Sequence, residues 1–580
     1  MRITLASVLT TLSLTLANTF QPTSECPLLG PSFSSDFDLT KTDAFSEAVA
    51  AFPEVIEALF ETGSANASTS SFVIDVYSAV TNTSIYSYSH EATAPALNES
   101  FPSELNDETI FRIGSVSKLY TVYAILAHAG SLEVFNHPIT QYLPELAGNA
   151  GKDPLNRIVW EDVTVGALAS HQAGVGEFPL NYLGCFYTGE PCDTDKFLDW
   201  MRDRKRASQP ISQSSLYADG GFGILGLALA RMTNQTYNDA LQTLLAAPLH
   251  LNHTGSLIPT DPDVNGIIIP NWETGASAWG HDNQVIAPSG GLYSNLADLR
   301  ATGLSILHSH LLSPHDTRAW LKPHAHTASL TTSAGAPWEI NRLTLPVSAA
   351  NATNTTTRYR LSDLYTKAGG QPGYTAVFML SPDHQLGLSV LVAGTSATTD
   401  RWTLRAAAAE TFVTAAEHAA MENARSQFAG VFVDDEAHDG SNVTLTVEEG
   451  RPGLGIKSLY VDGVDSLANI SSPYAPLPEG VGVVARLYPT GLEERLAEDG
   501  SVRAKYRAVA EVTPFPPEAR ARIEGGKGLF DDGCVSWLNT AFWETEDGQV
   551  LDEFVLQSDG KGRLVSVRSG SADGMMVRSG

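Results

Sequence analysis

The chain has 580 residues, with 65 acidic against 36 basic side chains and a formal net charge of −29. Such a charge repels phosphate backbones and anionic membrane surfaces, so neither nucleic acid nor a lipid surface is an expected partner. With 43% hydrophobic residues there is ample material for packed cores, and the length predicts two or three domains.

In chain order, Arg2 and the mostly apolar stretch 3–17 read as a signal peptide (1–17) cleaved after Ala17. That stretch is short and rich in Thr and Ser for a membrane anchor, and no later segment is apolar enough to span a bilayer. An irregular arm over 18–45 precedes a helical pattern over 44–62. Residues 71–78 alternate as a strand, with Phe72, Ile74 and Val76 on one face and Val73, Asp75 and Tyr77 on the other. The Ser-, Thr- and Ala-rich stretch 82–100 reads as exposed. A short strand over 111–113 enters a turn at Gly114 and then a long helix ending near Gly130. Helices are predicted over 164–170, 221–233 and 296–308, the last capped by Asn295 or Ser294. Strands over 376–379 and 386–392 pair across Pro382-Asp383-His384, and an Ala-rich helix runs over 403–424. From about Gln427 the pattern turns to short alternating strands. It predicts an all-β domain over 426–580 after a catalytic domain over 18–425.

Nine Asn-x-Ser/Thr sequons, at Asn66, Asn82, Asn98, Asn234, Asn252, Asn351, Asn354, Asn442 and Asn469, fit passage through a eukaryotic secretory route. The four cysteines allow three pairings in an oxidising compartment. Cys185 with Cys192 closes a small loop, and Cys26 with Cys534 then ties the two ends of the chain. The expected location is extracellular or along the secretory pathway. The oligomeric state has no signature in the chain.

The chemistry begins at Phe111-Arg112-Ile113-Gly114-Ser115-Val116-Ser117-Lys118. Ser115 and Lys118, three apart at a helix start, share one face. A serine in the first turn also lies near the positive end of the helix dipole. Lys118 can take the serine proton if neutral, or stabilise the alkoxide, and either role suits attack on an ester or amide carbonyl. Alone, Ser-x-x-Lys is a weak signal. A second copy, Ser558 to Lys561, falls in a Ser-Asp-Gly hairpin turn and reads as structural. What adds weight is company in a fixed order. Tyr217-Ala218-Asp219 follows, and then Lys367-Ala368-Gly369 with Gly370-Gln371-Pro372-Gly373-Tyr374 behind it. Residues 130–146, His171-Gln172-Ala173-Gly174 and Ser289-Gly290-Gly291-Leu292-Tyr293-Ser294 complete the set.

This ordered set resembles the serine β-lactamase and penicillin-binding-protein superfamily, in its class C-like branch, over about residues 70–420. The resemblance implies an α/β (α+β) fold. An antiparallel sheet is flanked by helices, with a helical subdomain between Ser115 and about His310. It implies Ser115 as the acyl-accepting nucleophile, with Lys118 and Tyr217 sharing proton transfer. The backbone N–H groups of Ser115 and Gly370, beside Gly369, would form the oxyanion hole, and Lys367 would attract a substrate carboxylate. A tyrosine, titrating ordinarily near ~10, becomes a usable base only where cations favour its phenolate, and Lys118 and Lys367 are the candidates. No cofactor is implied. The C-terminal domain resembles the barrel- or sandwich-like appendages of fungal secreted β-lactamase-like proteins.

Two positions depart from the pattern. Asp219 stands where the family has Asn and offers no amide donor. Ala368 stands in place of Thr. Both changes predict weak or absent β-lactam turnover and suit an esterase, peptidase or acyl transferase better. Asp219 also has a plainer reading, as the cap of a helix starting near Gly221. His171 reads as structural. The pairs His308/His310 and His324/His326 are not followed by the residues of a metallo-hydrolase, so no metal site is expected. The expected function is a secreted serine hydrolase acting on a small ester, amide or peptide through acyl-Ser115. The alternatives are a tailoring acyltransferase or lactone-forming enzyme, and a non-catalytic binding protein with a vestigial fold.

Overall fold

Why the first strand is buried throughout explains much of the sheet. In the computed structural model, residues Ser70–Ser78 (β1) alternate as predicted, yet all nine are buried. On one face Phe72 packs with Phe60 of helix α1 (Asp43–Glu61) and with Tyr88 of β2 (Thr83–His90). On the other face Val73 and Tyr77 enter the main hydrophobic core. Helices on both faces remove the solvent side that an alternating strand usually keeps. The structure describes residues 27–93, 104–149, 153, 155–177, 192–261, 263–269, 277–347, 359–434, 440–467, 482–496, 499–513, 537, 550–572 and 574–579. The expected signal peptide and the sequons at Asn98, Asn351, Asn354 and Asn469 lie outside them. So do three of the four cysteines, which places both expected pairings outside the described residues. Asn66, Asn82, Asn234 and Asn252 are exposed, and Asn442 is half-buried.

Strand β3 (Phe111–Arg112) enters a 3-10 turn at Gly114–Val116, which continues into α2 (Ser117–Ala129). Helices α3 (Val165–Ala169) and α4 (Asp219–Thr233) come next, then β4 (Tyr293–Ser294) and α5 (Leu296–Leu307), capped by Asn295. Strands β5 (Ala325–His326), β6 (Thr332–Ala334), β7 (Glu339–Pro346), β8 (Tyr359–Gln371), β9 (Tyr374–Ser381) and β10 (Leu386–Gly394) lead to α6 (Ala397–Gln427). Together with β1 and β2 they form one antiparallel sheet in the order β2-β1-β10-β9-β8-β7-β6-β5. Helix α2 is buried from Ser117 to Leu126, as befits a helix packed on all sides. It ends where Gly130 adopts a left-handed φ of 68°.

Contacts divide the chain into two units. One comprises Glu47–Leu343 with Asp363–Val413 and the other Met1–Ser46, Thr344–Ser362 and Thr414–Gly580. The second unit contains β11 (Gly430–Val433), β12 (Asn442–Thr446), β13 (Leu454–Val461), β14 (Val464–Asp465), β15 (Gly482–Arg495), β16 (Val502–Thr513), β17 (Glu553–Ser558), β18 (Leu564–Ser569) and β19 (Met576–Arg578). Successive strands pair antiparallel, β15 takes its place beside β13, and β19 returns to β11. The result is a closed meander of eight strands with β14 as a short flap on β13. Phe432, Leu445, Ile456, Leu487, Phe554 and Val567 are among the side chains packed in its core, and closure pairs the eight strands into a ring.

Two expectations need correction. The stretch over 82–100 contains strand β2, paired to β1 from Thr83 to His90. An edge strand turns every second residue to solvent, so Ser and Thr there are compatible with pairing, while Tyr86 and Tyr88 set their rings edge-on to Phe52 at 5.7 and 5.8 Å. Helix α4 begins at Asp219 rather than Gly221, and its cap residue is Ala218, with no side-chain capping bond. The second Ser-x-x-Lys lies at the β17 end, where Asp559 Oδ1 accepts from the N–H groups of Lys561 and Arg563, a turn as expected.

Candidate active site

The turn that presents Ser115 is built by close backbone approach. Gly114 has a φ of 52°, and a Cβ there would stand 2.3 Å from Gly370 N. A Cβ on Gly369 would stand 2.0 Å from Ile113 O and 2.6 Å from Ser115 N. Only glycine at both positions lets β8 lie this near the start of α2. The backbone around Ser115 thereby lies directly against Gly369 and Gly370. Ser117 Oγ donates to Gly114 O (2.7 Å) and accepts from Leu292 N (3.0 Å), which braces the turn from below. Arg112, fully buried in β3, donates to Ala278 O (3.0 Å), Gly291 O (2.7 Å) and Trp279 O (3.1 Å), and also to His281 O. Burial lowers its guanidinium to about 10.

Lys118 Nζ is fully buried and meets three acceptors: Ser115 Oγ at 3.0 Å, Asp219 Oδ1 at 2.6 Å and Ser289 O at 2.9 Å. The Lys118 nitrogen thus sits between the Ser115 hydroxyl and the Asp219 carboxylate, and that carboxylate would balance its charge as an ammonium. Ser289 Oγ donates to the same Asp219 oxygen. Asp219 thus spends its carboxylate on the lysine and not on a helix cap. Burial pushes this carboxyl up, but the Lys118 charge and the bonds from Lys118 and Ser289 prevail and hold it below the usual range. Glu177 lies close enough that burial, and then the Asp219 charge, push its carboxyl up.

Tyr217 stands over these groups, with Lys118 Nζ 4.6 Å and Lys367 Nζ 5.3 Å from its ring centre. Burial alone would push the phenol up. The ammonium groups of Lys367 and Lys118 outweigh it, with help from the Ser115 hydroxyl, and bring the phenol below its ordinary value. Lys367, also fully buried, donates to Glu339 Oε1 (2.6 Å) and Ala368 O (2.9 Å). Glu339 Oε2 accepts from Ala368 N at 3.0 Å. Burial opposes the Lys367 charge, yet Glu339 and then Tyr217 raise its value. Arg401 Nη1 donates to Gly369 O at 2.6 Å.

The structure therefore gathers Ser115, Lys118, Tyr217, Asp219, Lys367, Gly369 and Gly370 into one place. Ser289, Glu339 and Arg401 join them without having been anticipated. Ser289 lay in a stretch already singled out. Glu339 sits on β7 and Arg401 on α6, and nothing in the chain says that strand neighbours and a distant helix would meet Lys367 and Gly369. Among the described residues no three His, Cys, Asp or Glu stand together as a metal site. His308 and His310 stack on each other at 5.3 Å.

The β-lactamase family model matches residues 93–411, more than half of the chain. The chain belongs to the β-lactamase family. A second family, described as "Beta-lactamase-like-like, C-terminal domain", matches residues 420–579. The chain is 29% identical over 503 residues to a "Beta-lactamase-like protein" of Arthroderma benhamiae, covering 80% of each. It is 27% identical over 556 residues to "Probable hydrolase M10" of Phoma sp., covering 89% of this chain and 86% of the relative. A class C β-lactamase structure from Rhodobacter sphaeroides aligns with 64% of this chain and 99% of its own at 20% identity and a TM-score of 0.43. Within the β-lactamase family, this member combines Ser-x-x-Lys with a Tyr-x-Asp element and a Lys-Ala-Gly strand.

Proposed function

We propose that the protein is a secreted serine hydrolase that cleaves a small ester, amide or peptide through an acyl-Ser115 intermediate. The catalytic part spans 18–425 and a β-rich domain spans 426–580. The observation that carries this reading is Lys118 Nζ, 3.0 Å from Ser115 Oγ and paired with Asp219, with a phenol of lowered value standing over both. The printed name "hydrolase" on the Phoma relative agrees with it.

In this reading the Tyr217 phenolate takes the Ser115 proton while Lys118 keeps its own and steadies the alkoxide. Ser115 Oγ bonds to the carbonyl carbon. The Ser115 and Gly370 amides stabilise the oxyanion that forms. As the carbon–heteroatom bond breaks, Tyr217 returns the proton to the leaving group. Water then releases the acid by the same route in reverse. With Lys367 already bonded to Glu339, a substrate carboxylate finds that ammonium occupied, which favours neutral acyl esters over β-lactams. Secretion rests on residues 1–17, glycosylation on the sequons, and the Cys185–Cys192 and Cys26–Cys534 pairings on the oxidising compartment. N-terminal sequencing of exported protein should begin at Asn18.

The decisive test incubates the protein and Ser115→Ala with p-nitrophenyl acetate and butyrate and weighs both by intact mass. Turnover and an acyl adduct are expected in the first and absent from the second. If neither gains mass, the protein is a binding module and this reading is lost.

A further inference from the structure

The loop that carries Tyr217 hangs on the turn following α3. Ser208 N donates to Gly174 O (2.9 Å), Ser212 N to Gln172 O (2.9 Å) and Ser215 Oγ to Ser170 O (2.9 Å). Leu216 N donates to His171 O (2.7 Å), and Ala218 N to His171 Nδ1 (3.2 Å). The last two bonds bracket Tyr217 in sequence, and both end on one residue. The approach is tight, since a Cβ on Gly174 would stand 2.2 Å from Gln209 O. His171 itself adopts a left-handed φ of 60°.

The imidazole stacks on the Tyr217 ring, centre to centre 4.5 Å with 25° between planes, and meets Phe222 at 5.2 Å. The imidazole covers one face of the phenol, and the ammonium groups of Lys118 and Lys367 also stand over the ring. Because Nδ1 accepts a backbone N–H, the ring proton sits on Nε2. That atom is buried without a hydrogen-bond partner among the described residues. An apolar ring would fill the space with no orphaned donor. What the imidazole adds is the Nδ1 acceptor.

We propose that His171 is the positioning residue of Tyr217: it clamps the chain on both sides of the tyrosine and stacks on its ring, holding it against the ammonium groups of Lys118 and Lys367. The proposal rests on the reading of Tyr217 as the base. Tyr217 faces Lys118 from α2, Lys367 from β8 and Arg401 from α6. His171 faces Lys118, Lys367 and Asp219. Burial, followed by the two lysine charges, keeps its imidazole neutral well below the ordinary range. It therefore adds no charge of its own to the phenol as pH changes through neutrality.

The test titrates the Tyr217 phenol by tyrosinate absorbance, as the difference between the protein and its Tyr217→Phe variant. The titration is repeated with His171→Asn and with His171→Phe. Asn tolerates a left-handed backbone and keeps an acceptor, but loses the ring. Phe keeps the ring and loses the acceptor. In both, the midpoint is expected to rise toward the ordinary tyrosine value near ~10. Acylation by p-nitrophenyl acetate per folded molecule should fall about 10-fold or more. In a Tyr217→Phe background the same changes should cost nothing further, since the effect passes through the tyrosine. A midpoint that stays put in both variants overturns the proposal, as does a loss of acylation that is undiminished when Tyr217 is already Phe. Should the unaltered protein fail to acylate at all, the hydrolase reading falls, while the tyrosinate titration still decides for or against His171.

Discussion

Asp219 shows how one carboxylate changes a familiar site. An asparagine there would offer an amide. The aspartate takes a Lys118 hydrogen bond at 2.6 Å and the Ser289 hydroxyl. In the proposed mechanism it also places a negative charge near the phenol that would ionise. Asp219→Asn removes that charge, so the midpoint at which acylation rises with pH should move to lower pH, and nitrocefin acylation should increase relative to the unaltered protein. Because the folded carboxyl is held below its unfolded value, the stability it contributes is present above about pH 4 and lost as pH falls through the folded value. Acid unfolding of Asp219→Asn should therefore be shallower over that range. Tyr217→Phe keeps the ring but has no proton to move. Acylation should drop by about 10²- to 10⁴-fold, and stopped-flow release of p-nitrophenol reads it directly. In the unaltered protein the rate should climb with pH through a midpoint below the ordinary tyrosine value. A rate flat across that range would remove the phenolate from the mechanism.

At the scale of elements, the placement of Ser115 depends on how closely β8 and the start of α2 approach. Gly369→Ala would push a methyl into Ile113 O, 2.0 Å from where its Cβ must go. Backbone must move, at a cost of about 1–3 kcal/mol in stability. The oxyanion donors move with it, so acylation should fall about 10²-fold or more while denaturant unfolding shifts only modestly. An alanine variant with unaltered acylation would show that these amides do not hold the oxyanion. Helix α2 and the paired β9 and β10 were legible from hydrophobic runs and turn residues. Strand β2 was not, because Ser and Thr on an edge strand look like loop until a partner is known. The start of α4 was misread for a related reason: two glycines after Asp219 look like a break, yet packing keeps them helical.

For the molecule as a whole, two units follow from one chain that crosses between them more than once. Within the barrel-bearing unit, Arg360 and Glu417 are both almost wholly buried and bond through two contacts, of 2.8 and 2.6 Å. Arg360 also donates to Gly30 O at 3.0 Å. Arg360→Leu takes the charged partner from a buried carboxylate and should destabilise the fold by about 3–5 kcal/mol. Hydrogen exchange along the barrel strands under mild urea would record it. A shift of less than ~1 kcal/mol would mean that the pair is replaceable.

Chain order alone determined the family, since Ser115, Lys118, Tyr217 and the Lys367 segment follow one another as the family has them. It also located helices α1, α2, α5 and α6, because apolar periodicity reports burial without knowledge of the partner. Only the tertiary structure decided the ion pairing of the site. Lys118 with Asp219 and Lys367 with Glu339 are pairs far apart in sequence, and an ion pair depends on distance and burial rather than on residue type. The same holds for His171. Its identity suggested a core histidine, and only its placement, clamped at both sides of Tyr217 and stacked on the ring, connects it to the reacting groups.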